Sequence, residues 1–115
     1  MQDRVVRNKT FLQEVSKCKP TVRRKLIKNA SKDNIDALSE VAMNTLLGNV
    51  PLSDLHKKKL KRHKFSIRKL AKKISLKAKK KFLVQKGGFL PLLLSPALSM
   101  LGGLAASALS HFALL

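Results

Sequence analysis

At Gln85–Lys86–Gly87–Gly88 one kind of sequence stops and its opposite begins, and any fold for this chain has to accommodate both. Residues 55–86 hold fifteen Lys or Arg and no acid, whereas residues 89–115 hold no Lys, Arg, Asp or Glu. The later stretch is Leu, Ala, Phe and Met with a few Ser, Gly and Pro, and its one ionisable side chain is His111. A polycation joined to an apolar tail through two glycines reads as two segments with different partners, because glycine leaves the backbone free to hinge. The chain accordingly divides into a small helical head over 1–50, a Lys-rich basic helical segment over 51–88, and an apolar tail over 89–115. By length alone the tail could act as a membrane-active segment.

The charge is distributed as unevenly as the hydrophobicity. The net charge is +19, and all six acids (Asp3, Glu14, Asp33, Asp36, Glu40 and Asp54) lie in the first 54 residues. The head therefore has carboxylates for its own cations and can fold as an ordinary unit. The run that follows repels itself unless a polyanion neutralises it.

Apolar spacing predicts an all-α protein, with no stretch alternating at period two for long enough to make a strand. Val5, Val6, Leu12 and Val15 outline a first helix over residues 3–17, interrupted at Lys19–Pro20. Pro20 opens a second helix that presents Val22, Leu26 and Ile27, with Arg23, Arg24, Lys25 and Lys28 facing water. A third begins at Ser31 or Asp33, carries Ile35, Leu38, Val41, Ala42, Thr45 and Leu46 on one stripe, and stops at Gly48. From Ser53 a long basic helix runs to about Lys73 with Leu55, Leu60, Ile67, Leu70 and Ile74 on one side, and Ser75 recaps a final piece. Pro91, Pro96 and Gly102–Gly103 are expected to break the tail into short pieces.

Nothing in the chain assembles a catalytic constellation. His56, His63 and His111 are scattered, and Cys18 has no histidine partner nearby, so neither an enzyme, a metal site nor a cofactor is expected. The basic run is the functional signal. Its cations are Lys57, Lys58, Lys59, Lys61, Arg62, Lys64, Arg68, Lys69, Lys72, Lys73, Lys77, Lys79, Lys80, Lys81 and Lys86. Base-edge reading favours the bidentate geometry of Arg, Asn and Gln, and only two of these fifteen are Arg. Lysine as a mobile point charge suits the phosphate backbone instead, which makes double-stranded DNA, bound without sequence preference, the expected partner. With no Trp or Tyr and five Phe, aromatic platforms for stacking bases are not expected.

The junction also carries a resemblance. Lys86–Gly87–Gly88–Phe89–Leu90–Pro91–Leu92–Leu93–Leu94, with a basic run before it and an Ala/Gly/Leu tail after it, resembles the precursor of the adenovirus core protein X (the mu precursor). The likeness covers roughly residues 77–115, while residues 1–54 have no counterpart and the run is Lys-rich where that family is Arg-rich. These departures point towards an adenovirus-related virus or virus-like transposon of the adintovirus or Polinton-Maverick type. The resemblance implies a DNA-condensing virion core protein, located in the virion core and host nucleus and matured by an adenovirus-type cysteine protease. Carried over, the site comprises Gln85, Gly87, Gly88 and Phe89, with cleavage after Gly88. Met100–Leu101–Gly102–Gly103 is a second candidate. Capsid proteins or a membrane are expected to meet residues 89–115. The alternative is a tail-anchored or membrane-active, membrane-associated protein, its apolar segment inserted and its polybasic flank on anionic headgroups.

Overall fold

The computed structural model describes residues 3–106, and no strand occurs among them. The helices are α1 (Asp3–Arg7), α2 (Lys9–Lys17), α3 (Pro20–Lys28), α4 (Lys32–Leu46), α5 (Asp54–Lys61), α6 (Lys64–Ala71), α7 (Leu76–Lys86) and α8 (Leu90–Ala106), with a 3-10 turn at Gly87–Phe89. The all-α expectation holds. His111 and the rest of residues 107–115 lie outside the described residues.

Local chemistry sets most of the boundaries. Pro20 stands at the start of α3, where its missing N–H costs nothing. Ser31 caps α4 by accepting from the Asn34 N–H while the Asn34 side chain accepts from the Ser31 N–H, a reciprocal box. Ser53 and Ser75 accept from the backbone N–H groups of His56 and Ala78 to open α5 and α7. Gly48 follows α4 at φ +79°, a left-handed conformation that only glycine adopts without strain.

The core is built around α4, which packs against α1, α2, α6, α7 and α8. Its Ile35, Leu38, Val41 and Ala42 meet Leu12 and Val15 of α2, Ile67 and Leu70 of α6, and Leu83 of α7 in one buried cluster. The edges of the expected stripes fall differently. Val6, Val22 and Leu46 are exposed, whereas Arg23, expected in water, is buried. Each of these helices buries a narrower or rotated stripe than its apolar residues suggest, because its partners cover only part of its circumference.

Three larger expectations are corrected. First, the glycine pair is no hinge. Gly87 is buried within the 3-10 turn, and Phe89 is almost wholly enclosed, its ring 6.3 Å from His63 and 6.2 Å from Phe82. Second, the described part of the tail is one helix in the core. Leu90, Leu93, Leu94 and Ala97 recur at three-four spacing and are buried, while Ser95 and Ser99 face outward. Third, the long basic helix is two helices that turn at Arg62–His63, since α5 packs on α8 and α6 packs on α4.

The prolines fail to break α8 for identifiable reasons. Pro91 lies in the first turn, where backbone N–H groups have no partner inside the helix. Pro96 is internal and removes the donor that the Leu92 carbonyl would have used. His56 of α5 supplies one from outside, its Nε2 3.0 Å from the Leu92 oxygen, which places the ring proton on Nε2. Replacing His56 by Ala leaves that carbonyl unpaired at a helix–helix contact. The expected loss is about 1–2 kcal/mol of unfolding free energy, read from the denaturation midpoint with an unchanged slope.

Candidate nucleic-acid interface

Three acids of the head, Asp33, Asp36 and Glu40, are engaged with cations of the head. Asn8 joins α1 to α2 and is buried; its amide donates to the Arg4 carbonyl and to Asp33 Oδ2, each at 2.8 Å, and its oxygen accepts from Asn34 at 2.6 Å. Asp33 also accepts from Arg7 at 3.0 and 3.2 Å and from Arg4 at 3.3 Å. Hydrogen bonds from Arg7 and Asn8, with the Arg7 charge, lower the Asp33 carboxyl from 3.8 to about 2. Asp36 pairs with Lys32, and Glu40 lies 3.8 Å from Arg4.

A lowered folded-state pKa makes the Asp33 contribution complete above the unfolded value and lost as protons bind below it. Stability is therefore expected to fall as pH drops from about 4 towards about 2. Asp33→Asn should be less stable at neutral pH and should flatten that part of the profile, as measured by thermal melts across acid pH.

With those carboxylates occupied by the head, the basic run meets none of its own sign-opposite partners along residues 55–86. The structure places it on α5, α6, α7 and the turns between them. Lys57, Lys58, Lys59, Lys61, Arg62, Lys64, Arg68, Lys69, Lys72, Lys73, Lys77, Lys81 and Lys86 are all exposed. Lys79 is buried, with Nζ donating to the Ser39 hydroxyl at 2.7 Å, and burial lowers its pKa. Lys80 is half-buried and donates to the Lys28 carbonyl at 3.1 Å, tying α7 to α3. Lys79 is thus a structural lysine between α7 and α4, and Lys80 is partly committed; the others are free to meet phosphate.

Two features of this surface lie outside the basic run's list of cations. Lys28 of α3 joins Lys80 and Lys81 around a shallow cleft with Val84 and Gln85, so the basic surface extends onto the head. Phe65 projects from α6 and is 81% exposed. Its position off the Ile67–Leu70–Ile74 stripe was the signal available in sequence. At the junction, Gln85 and Gly88 are exposed, whereas Gly87 and Phe89 are buried; the four residues are contiguous but not equally accessible. Gly102 and Gly103 fall within the span of α8. Among the described residues no helix is long and apolar enough to cross a membrane, and no group of His, Cys, Asp or Glu is placed to hold a metal. No family model, curated protein or solved structure matches the chain.

Proposed function

We propose that this chain binds and condenses double-stranded DNA without reading its sequence, as the precursor of a core or minor virion protein in an adenovirus-related virus or virus-like transposon. The observation that carries the reading is the exposed cation surface of α5–α7, with Asp33 and Asp36 of the head paired to cations of the head itself. Charge of one sign presented on helical supports suits a regular polyanion, whose condensed counterions are released on contact. Membrane insertion of the tail would require Phe89, Leu90, Leu93, Leu94 and Ala97 to leave the core, which weighs against the membrane-active alternative. Co-sedimentation tests the choice: the protein should pellet with duplex DNA of any sequence and stay in solution with neutral phosphatidylcholine vesicles. Pelleting with those vesicles and not with DNA would reverse it.

Maturation after Gly88 belongs to the same proposal and acquires a condition. The fold makes no demand for glycine at position 88, where an added Cβ would meet nothing within 4 Å and the backbone is not left-handed. A glycine that the fold does not need is consistent with a glycine read by a protease. The bond to Phe89 is held in a 3-10 turn beneath His63, so cleavage requires the turn to open and the chain to extend into a cleft.

A further inference from the structure

Phe65 is the most exposed of the large apolar side chains described here, and it is surrounded by charge of one sign. On α6, Ile67 and Leu70 point into the core; Phe65 precedes Ile67 by two residues, about 200° around the helix, and so points away from it. Lys64 is its neighbour in sequence, and Arg68 and Lys69 stand one turn further along the same helix. It forms the lip of a groove of about 640 Å³ between α6 and α7, which Lys69, Phe82, Gln85 and Lys86 also line. Lys69 Nζ lies 4.9 Å from the Phe82 ring centroid, so that ring already faces a cation. None of the aromatic or cation–π pairs among the described residues involves Phe65.

We propose that Phe65 is a stacking platform for an unpaired nucleobase, with the cations of the α6–α7 groove holding the phosphates on either side of it. The inference rests on the phosphate-binding reading above and extends it from duplex to single-stranded nucleic acid. An exposed ring among cations fits a partner that is both flat and anionic at short repeat. A polynucleotide supplies that alternation, and its bases offer free faces only where they are unpaired. Stacking on aromatic side chains tolerates any base, in keeping with a surface that has little Arg for reading base edges.

The test compares an oligodeoxythymidine with an abasic strand of the same length, which presents the same phosphates without bases. The wild-type chain should bind the base-bearing strand roughly 5- to 100-fold more tightly at one fixed salt concentration. Phe65→Ala and Phe65→Leu should both remove most of that difference while leaving the salt dependence unchanged. The leucine variant keeps apolar bulk but has no ring, so it separates stacking from greasy contact. Because Phe65 is outside the core, both variants should retain the wild-type melting transition. Equal wild-type affinity for the two strands, or a leucine variant that keeps the preference, would overturn the stacking inference and leave phosphate binding intact. A shallow salt dependence on both strands would instead remove the phosphate-binding reading beneath it.

Discussion

Truncation after Gly88 is expected to abolish the cooperative fold of the remaining residues. It removes Leu90, Leu93, Leu94 and Ala97, buried in the core on α8, which packs on α2, α4 and α5, and Phe89, enclosed beside His63 and Phe82, rather than a segment hanging beyond a hinge. At about 1.5–3 kcal/mol for each large apolar side chain, the four largest contribute on the order of 6–12 kcal/mol. That is comparable with the whole stability of a typical domain, roughly 5–15 kcal/mol. The shortened chain would also expose the partners left behind, Leu12, Val15 and Phe82 among them, while carrying all 25 of its cations. In low salt without nucleic acid, its circular dichroism should lose most helical signal and its melt should have no cooperative transition. Leu93→Asp in the full chain should act in the same direction, because the carboxylate would be forced into an apolar site. A truncated protein that melts cooperatively within a few degrees of the full chain would show that α8 is dispensable to the head.

This expectation bears on maturation. If cleavage follows Gly88, it removes a part of the core, and the basic product has to find its order elsewhere. A polyanion is the available source, since neutralising the run relieves the repulsion that opposes its compaction. Folded and cleaved forms would then bind DNA differently: the first as a shaped cation surface, the second as a flexible polycation.

The head was largely legible because its signals are local. Ser31, Pro20 and Gly48 act through their own backbone neighbourhoods, and Ile35, Leu38, Val41 and Ala42 repeat at the helical period, so sequence alone locates α3 and α4 closely. The tail is hard to read because its charge-free composition hides a pattern. Ser95 and Ser99 mark the outward face of α8 as clearly as lysines would have done, but they are small and few beside the leucines. Pro96 looks like a break in the sequence because the donor that satisfies Leu92 comes from His56, thirty-six residues away in the chain, and no local rule reports it. The bend at Arg62–His63 has the same origin: α5 and α6 answer to different partners, a tertiary fact without a sequence marker of its own. In the basic run the sequence identified the cations but not their availability. Only packing distinguishes Lys79, buried against Ser39, from Lys77 and Lys81, its exposed neighbours.

The second large effect concerns salt. Each phosphate contact that releases a counterion contributes about −0.9 to the slope of log K against log salt concentration on duplex DNA. If roughly ten of the exposed cations engage phosphates together, the slope should be near −9, a loss of about five orders of magnitude in affinity over a fourfold rise in salt. Changing Lys57, Lys58, Lys59 and Lys61 to Gln should lower its magnitude by about 3–4, all four being exposed on α5. Lys79→Met should leave it unchanged, because that ammonium is committed to Ser39. The variant should also be at least as stable as the parent, since burial disfavours the charged form of Lys79.

The measurement that addresses phosphate recognition by the α5–α7 surface most directly is therefore this slope, determined for the full chain on two duplexes of equal length and unrelated sequence. A value near −9 that is the same for both duplexes is expected. A slope shallower than about −3, or a strong preference for one duplex at fixed salt, would contradict it.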